Sequence, residues 1–204
     1  MRRHFFAAGD DEKAAVDQFF DQLEDGLIAA CREVGLLLIE AGQLREGWMY
    51  LRPVGDKQLV KEALAKINLN DENRDEFVEV ALHEGLDPQR GFAEVLGYYG
   101  TCNAITTFEA TLQQRNPQEQ QRVAGMLVEH LNGELLASVK ADIAQNEGAE
   151  PAALTLRELV ADRDWLFGEH RYHLDTTHLA STVRFARLLE DSDHLRLALD
   201  MTEY

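Results

Sequence analysis

A row of apolar residues spaced four positions apart runs through the second half of the chain. Its members are Val123, Leu127, Leu131, Leu135, Val139 and Ile143. Because an α-helix turns once every 3.6 residues, this spacing predicts a helix with one apolar side. Asn116 can cap its first turn, and Pro117 suits the first helical position. Gly148 is the first residue able to end it, so the sequence predicts a long helix over residues 117–147.

The rest of the chain shows many helix starts and stops and almost no strand signals. Capping side chains are expected to open further helices at Asp56, at Asp87 and at Asp175 or Thr176. The pair Thr155 and Glu158 has capping-box spacing, and its helix is expected to reach Phe167. Ser192 is expected to cap the last helix. About ten helices result, which predicts an all-α fold of packed antiparallel hairpins.

The first long helical pattern begins near Asp10. Its apolar residues are Val16, Phe19, Phe20, Leu23, Leu27 and Cys31, and they lie on one helical face. The pattern continues through Val34 and Leu38 to Gly42, a predicted C-terminal cap. Breaks at Gly26 or Gly35 are compatible with it but are not required.

Two segments follow the same order of residues. Each reads as a helix, a glycine cap, a short turn, and a small residue followed by an aromatic one. The matching pairs are Gly42 with Gly85, Gly47 with Gly91, and Trp48 with Phe92. The small residue lets two helices approach, and the aromatic ring fills the space beyond it. This arrangement is typical of a helical repeat.

The first copy, about residues 31–54, resembles a tetratricopeptide repeat. The matching positions are Val34, Gly35, Leu38, Gly42, Leu44, Gly47 and Leu51. Gly47 replaces the alanine usual in that family, and Pro53 comes early. The antiparallel hairpins are therefore expected to pack either as a tetratricopeptide-like solenoid or as an irregular multi-helix bundle. The resemblance implies a concave surface for a protein or peptide, without catalytic residues.

The length of 204 residues suits one all-helical domain over residues 1–204. A division into two halves is the alternative. Residues 1–115 would hold repeat-like hairpins, and residues 116–204 would hold the long helix and a histidine-rich loop. The last helix reaches Tyr204 without a stop signal, which leaves open a continuation of the native chain.

The charge balance restricts the partners of this chain. Its formal net charge is −17, from 37 acidic and 20 basic residues. That balance opposes binding to nucleic acid and to anionic membranes, and it is compatible with a basic partner. The longest apolar run, Val34–Ile39, is far shorter than the roughly 20 residues of a membrane span. Cys31 and Cys102 are expected to be free and buried, as in a reducing cytoplasm.

A cluster of potential metal ligands lies between residues 168 and 178. It comprises Glu169, His170, His173, Asp175 and His178. Imidazole and carboxylate groups suit zinc or another first-row divalent metal. The other interpretation is structural: Asp175 caps a helix and the histidines are plain loop residues. The spacing matches no known zinc signature.

His130 and Glu134 form a second candidate pair, one turn apart on the long helix. They either supply two ligands to a site in the helical bundle or simply interact with each other. A metal site becomes much stronger if the loop containing His170 and His178 lies over this turn.

No nucleophile–base arrangement and no glycine-rich phosphate loop is evident, so enzymatic activity stays open. The leading hypothesis is a helical-repeat scaffold that binds a protein or peptide and needs no cofactor. Its predicted contact residues are the aromatics Trp48, Tyr50, Tyr98 and Tyr99. The alternative hypothesis is a metal-binding helical protein, a hydrolase or an oxidase, that uses the histidine cluster.

Overall fold

The computed structural model describes residues 5–168 and 171–204, with side chains from residue 13 onward in the first helix. The described residues form ten α-helices and no strand, which confirms the all-α prediction. The helices are α1 (Phe5–Glu40), α2 (Leu44–Leu51), α3 (Lys57–Ala65), α4 (Arg74–Val78), α5 (Pro88–Glu94), α6 (Thr101–Thr107), α7 (Pro117–Glu147), α8 (Leu156–Val160), α9 (Thr176–Ala186) and α10 (Ser192–Glu203). Among them, none is both long and apolar enough to cross a membrane.

Contacts divide the chain into two compact units, unit 1 (residues 1–87) and unit 2 (residues 88–204). The division predicted from the sequence lay at residue 115/116 instead. The boundary is earlier because α5 and α6 both pack on α7. The hairpin that they form therefore belongs with the long helix.

Several predicted helix starts are confirmed by their hydrogen bonds. The Asp56 carboxylate accepts from the Leu59 amide at 3.0 Å and opens α3. The Asn116 side chain accepts from the Glu119 amide at 2.9 Å and opens α7. At α9 the cap is Asp175 rather than Thr176. These side chains satisfy backbone amides that have no partner inside their own helix.

Two predicted boundaries are wrong. The helix that begins with the Thr155 capping box ends at Val160, because Asp162 adopts a left-handed conformation with φ of 62°. A separate 3₁₀ helix then spans Asp164–Phe167. The cap of α10 is Asp191 instead of Ser192, since its carboxylate accepts from the His194 amide at 2.9 Å.

Helices α4, α5 and α6 each continue into a five-residue π-helical turn. These turns are Glu79–His83, Val95–Tyr99 and Phe108–Leu112. In them a backbone amide bonds to the carbonyl five residues earlier, as from Gly100 to Val95 at 3.1 Å. Hydrophobic spacing does not distinguish such a turn from an α-helical one, so the sequence did not indicate them.

In unit 1, α1 and α2 pack closely because both present glycine at the contact. A Cβ added at Gly47 would lie 2.7 Å from Ile39 Cγ1, and one added at Gly35 would lie 2.5 Å from Leu51 Cγ. The sequence predicted this role for Gly47. Trp48 follows it into the core, where it is 9% exposed.

Helix α4 supplies the side chain that caps the N-terminus of α2 in unit 1. Gln43, which precedes α2, makes no capping side-chain hydrogen bond. The Glu76 carboxylate of α4 accepts from the Leu44 amide at 3.0 Å and from the Arg45 amide at 3.2 Å. The core beneath is formed by Ile39, Leu44, Trp48, Leu51, Val60, Leu64, Phe77, Val80, Ala81 and Leu86.

The two similar segments keep some matching features. Gly42 and Gly85 both have a left-handed backbone, with φ of 83° and 77°. Trp48 and Phe92 are both buried. The first segment lies inside unit 1, whereas the second crosses from unit 1 into unit 2 after Asp87. The tetratricopeptide-like repeat therefore stays a prediction.

In unit 2, α7 is the central helix. The six residues of its predicted apolar row are all completely buried. Helices α5, α6, α8, α9 and α10 all contact α7. This confirms the length, the start and the buried side that the row predicted.

Candidate functional site

A pocket of about 490 Å³ in unit 2 brings together much of the predicted metal cluster. It is lined by Tyr99, Gly100, Thr101, Cys102, Glu134, Tyr172, His173, Leu174, Asp175 and His178. The loop before α9 therefore lies beside the Glu134 turn of α7. His130 is not among the lining residues, and His170 lies outside the described residues.

His173 is held by hydrogen bonds on both sides of its ring. Its Nε2 lies 3.0 Å from Asp142 Oδ2, and its Nδ1 contacts the Tyr204 hydroxyl. The side chain is 5% exposed. Because both nitrogens have partners, neither presents a lone pair to a ligand in this arrangement. His173 joins the loop, α7 and the end of α10.

Asp142 on α7 is the anchor of this loop. Arg171 donates to its carboxylate through Nη1, and Arg171 Nη2 lies 3.1 Å from Asn146 Oδ1. Burial alone would raise the pKa of Asp142, but hydrogen bonds and charge from His173 and Arg171 outweigh it and lower that pKa. The carboxylate is thereby kept ionised and holds the loop against α7.

Asp175 serves as a helix cap. Its Oδ1 accepts from the Thr177 amide at 2.7 Å and from the Thr177 hydroxyl at 2.6 Å. Those hydrogen bonds lower the pKa of Asp175. The geometry matches the structural interpretation of this residue that the sequence left open.

Glu134 links the pocket to His130. Its Oε2 accepts from the Thr101 hydroxyl at 3.1 Å. Its Oε1 lies 3.3 Å from His130 Nε2, but outside hydrogen-bonding geometry, so that buried nitrogen has no hydrogen-bond partner among the described protein atoms. Across the described residues, no three His, Cys, Asp or Glu side chains are placed to hold a metal ion. The pocket is thus a polar cleft in which His173, Asp175 and Glu134 each already have hydrogen-bond partners outside the predicted ligand set.

The four predicted contact aromatics lie in different environments. Trp48 belongs to the core of unit 1, and the Arg52 guanidinium lies 5.6 Å from its ring centroid. Tyr50, also in unit 1, is exposed. In unit 2, Tyr98 is exposed and its ring packs edge-on against Tyr99 at 5.0 Å. Trp48 is therefore unsuited to direct contact with a partner, whereas Tyr50 and Tyr98 are accessible.

Among the described residues, α1 carries more exposed large hydrophobic side chains than any other helix. Every side chain from Lys13 to Leu27 is exposed. Phe19, Phe20 and Leu27 are 62%, 59% and 59% exposed. We call the following exposed residues the α1 stripe: Val16, Phe20, Leu23, Leu27, Ala30, Val34 and Leu37. Such a set of large apolar side chains is unusual on the surface of a monomer.

The sequence predicted that five stripe residues share one helical face (Val16, Phe20, Leu23, Leu27 and Val34), but it did not include Ala30 and Leu37 and did not show that the face is uncovered. Helix α2 packs on a different side of α1, where Gly35 and Ile39 are buried. Val34 and Leu37 lie next to these residues in the chain and remain exposed. The available signal was the alternating spacing of four and three residues along the stripe, which is typical of a coiled-coil helix.

Comparisons with protein-family models, with curated proteins and with solved structures found no match to this chain.

Proposed function

We propose that this protein is a helical scaffold that binds a protein or peptide partner through the α1 stripe. The observation that carries the proposal is the exposure of a continuous apolar face on a helix. Six of the seven stripe residues are large hydrophobics with 40–59% of their surface exposed. With Phe19 they present an apolar area on the order of 600 Å², at the upper end of the largest patches on ordinary monomers.

Burial of that area would favour association. Apolar surface removed from water stabilises a complex by about 25 cal/mol per Å² before the costs of association. A standard interface buries roughly 800 Å² on each partner. The α1 stripe and the polar residues beside it are of that size.

Charge favours a basic partner within the same proposal. The chain has a net charge of −17, which attracts basic proteins and repels nucleic acid and anionic membranes. Cys31 and Cys102 are free thiols, and Cys102 is exposed rather than buried as predicted. Free, accessible thiols suit a reducing compartment, so we place the protein in the cytoplasm as part of this proposal.

Affinity capture with two matched variants tests the proposal. The tagged full chain is compared with the double variant Phe20→Ser/Leu27→Ser and with the control Gln18→Ser/Gln22→Ser, whose positions lie on the opposite side of α1 from the stripe. All four positions are exposed, so both variants are expected to keep the fold. A partner from extracts of the source cells should be retained by the native chain and the control and lost by the stripe variant. Equal recovery on all three would contradict the proposal.

A further inference from the structure

We propose that the partner of the α1 stripe is a single basic amphipathic helix of another protein, which forms a two-stranded coiled coil with α1. This inference rests on the proposed function and names the chemistry of its partner. Three observations carry it: the spacing of the stripe, the charges beside it, and the exposure of every side chain from residue 13 to residue 27.

The spacing identifies the shape of the partner. Successive stripe residues are separated by four, three, four, three, four and three positions, which is three heptads from Val16 to Leu37. With this alternation the stripe drifts by only about 20° per heptad around a straight helix. The stripe therefore stays on one side of α1 over roughly 32 Å, at 1.5 Å per residue. One helix lying alongside can cover all of it.

The charges identify the partner's chemistry. In a coiled coil, the positions that flank the apolar seam set partner choice. Beside the α1 stripe these positions hold Asp17, Glu24, Glu33 and Glu40, all exposed, and no lysine or arginine. The remaining four flanking positions are uncharged, namely Phe19, Gly26, Cys31 and Leu38. A helix with lysine or arginine at its flanking positions would complement this arrangement.

A second copy of the chain fits less well than a basic helix. It would bring another set of the same acids to the seam, and like charges across an interface act against association. The basic residues of α1 between positions 13 and 40 are Lys13 and Arg32. Lys13 is a single base at the start of the stripe, and Arg32 is about 160° around the helix from Val16 at 100° per residue. One lysine at the end of the seam does not balance the four acids beside the stripe.

The exposure of residues 13–27 shows what binding would add. A helix in water owes most of its stability to packing of its apolar face. Within the described chain, the side chains of this segment are all exposed. A partner helix would supply the missing packing, so binding and helix stabilisation are coupled on α1.

Fluorescence anisotropy with two designed peptides tests this inference on the full chain. Both probes are about 28 residues long, with leucine at the two seam positions of each heptad. One has lysine at the flanking positions and the other has glutamate. We expect the lysine peptide to bind at least roughly tenfold more tightly than the glutamate peptide, and to weaken several-fold as salt rises from about 0.05 to about 0.5 M.

The stripe variant separates the α1 stripe from general attraction to an acidic protein. Phe20→Ser/Leu27→Ser leaves the net charge unchanged and should weaken binding of the lysine peptide at least roughly tenfold, since two seam side chains are lost. Gln18→Ser/Gln22→Ser should bind like the native chain. Circular dichroism checks that both variants remain folded. Equal affinity in the two variants would overturn the inference.

Two further outcomes would also overturn it. Equal binding of the lysine and glutamate peptides would remove the role of charge. Light scattering that shows a dimer of the native chain, lost in Phe20→Ser/Leu27→Ser, would identify a second copy as the occupant. If a cellular partner still depends on the stripe while the lysine peptide fails to bind, the basic-helix inference fails and the proposed function stands. If neither depends on the stripe, both fail.

Discussion

Helices α1 and α7 are the two longest of the described chain, with 36 and 31 residues, and each carries a periodic apolar face. The face of α7 is completely buried, while the stripe of α1 is exposed. The α7 row repeats every four residues and thus advances about 40° around the helix at each step. Five helices share the task of covering it. The α1 stripe stays on one side, which suits a single straight partner.

An apolar row in a sequence has two properties with different consequences for packing, namely its presence and its exact period. A periodic row shows that a helix has an apolar side, but its exact period shows how many neighbours that side can accept. A row that advances around its helix must be covered by several neighbouring helices, and it therefore lies in a core. A straight stripe needs only one helix, and that helix can come from another molecule.

The largest expected difference between the two helices is in the cost of truncating one leucine in each of them. Leu131→Ala in α7 should lower the free energy of unfolding by about 2–5 kcal/mol, because it leaves a cavity in a buried core. Leu27→Ala in the α1 stripe should change it by no more than about 0.5 kcal/mol. Urea unfolding followed by circular dichroism measures both. Similar losses would show that the stripe is covered within the protein.

A pair of glycine substitutions sharpens the difference between the two sides of α1. Gly47→Ala should destabilise unit 1 by about 1–3 kcal/mol, because the new methyl group overlaps Ile39 and the Gly35 carbonyl. Gly26→Ala has no atom within 4 Å of the new Cβ and should stabilise the helix by about 0.5–1 kcal/mol. Thermal unfolding measures both. A stabilising Gly47→Ala would contradict the close α1–α2 packing.

The loop that covers α7 at Asp142 gives a prediction with a pH dependence. Asp142→Asn should destabilise the protein by roughly 1–3 kcal/mol at neutral pH, as it weakens hydrogen bonds to Arg171 and His173. The pKa of Asp142 is lowered by folding, so its contribution is full above the unfolded value of about 3.9 and is lost as pH falls through the lower folded value.

Unfolding of the native chain and of Asp142→Asn is measured across pH 2–7. The difference in stability between the two proteins is expected to decrease only below about pH 3.9. The two proteins should converge in stability only at the acid end. A constant difference throughout would show that the effect is one of shape and not of charge.

The smallest expected effect is at His194, which connects α10 to α7. His194 Nε2 lies 3.0 Å from Glu129 Oε1, and Nδ1 lies 2.7 Å from Asp191 Oδ1. Burial would lower the pKa of His194, but the two carboxylates outweigh it and raise that pKa. The contribution is therefore full below the unfolded value of about 6.5 and is lost as pH rises through the higher folded value.

His194→Gln should consequently cost less than about 1 kcal/mol, as expected for a partly exposed ion pair, and the cost should be greater at acid than at alkaline pH. Thermal unfolding at pH values on both sides of about 6.5 tests the sign. A cost that grows as pH rises would contradict the assigned direction.

Sequence reasoning succeeded where the physical cause lies within a few residues of the chain. The Asn116 cap, the Thr155–Glu158 capping box and the Gly42 stop depend on local hydrogen bonds and backbone conformation. The end of α8 was missed because it depends on the left-handed backbone of Asp162, a conformation that glycine adopts far more readily than aspartate.

The candidate site was only partly predictable, because it depends on contacts between distant parts of the chain. The histidine loop does lie beside Glu134, as a metal site would require. Yet the ring nitrogens of His173 are hydrogen-bonded to Asp142 and Tyr204, which lie 31 residues before and after it in the chain. The exposure of the α1 stripe likewise depends on where α2 packs, and no local pattern contains that information.

Hydrogen exchange on α1 and α7 tests the central claim most directly. In the free protein, amides of residues 13–27 should exchange fast and those of residues 123–143 slowly, because only α7 has its apolar face packed. Adding the lysine peptide should slow exchange at residues 13–27 and leave residues 123–143 unchanged. Slow exchange of residues 13–27 in the free protein, or no slowing by a peptide at saturating concentration, would contradict the account of α1 as an unfilled docking helix.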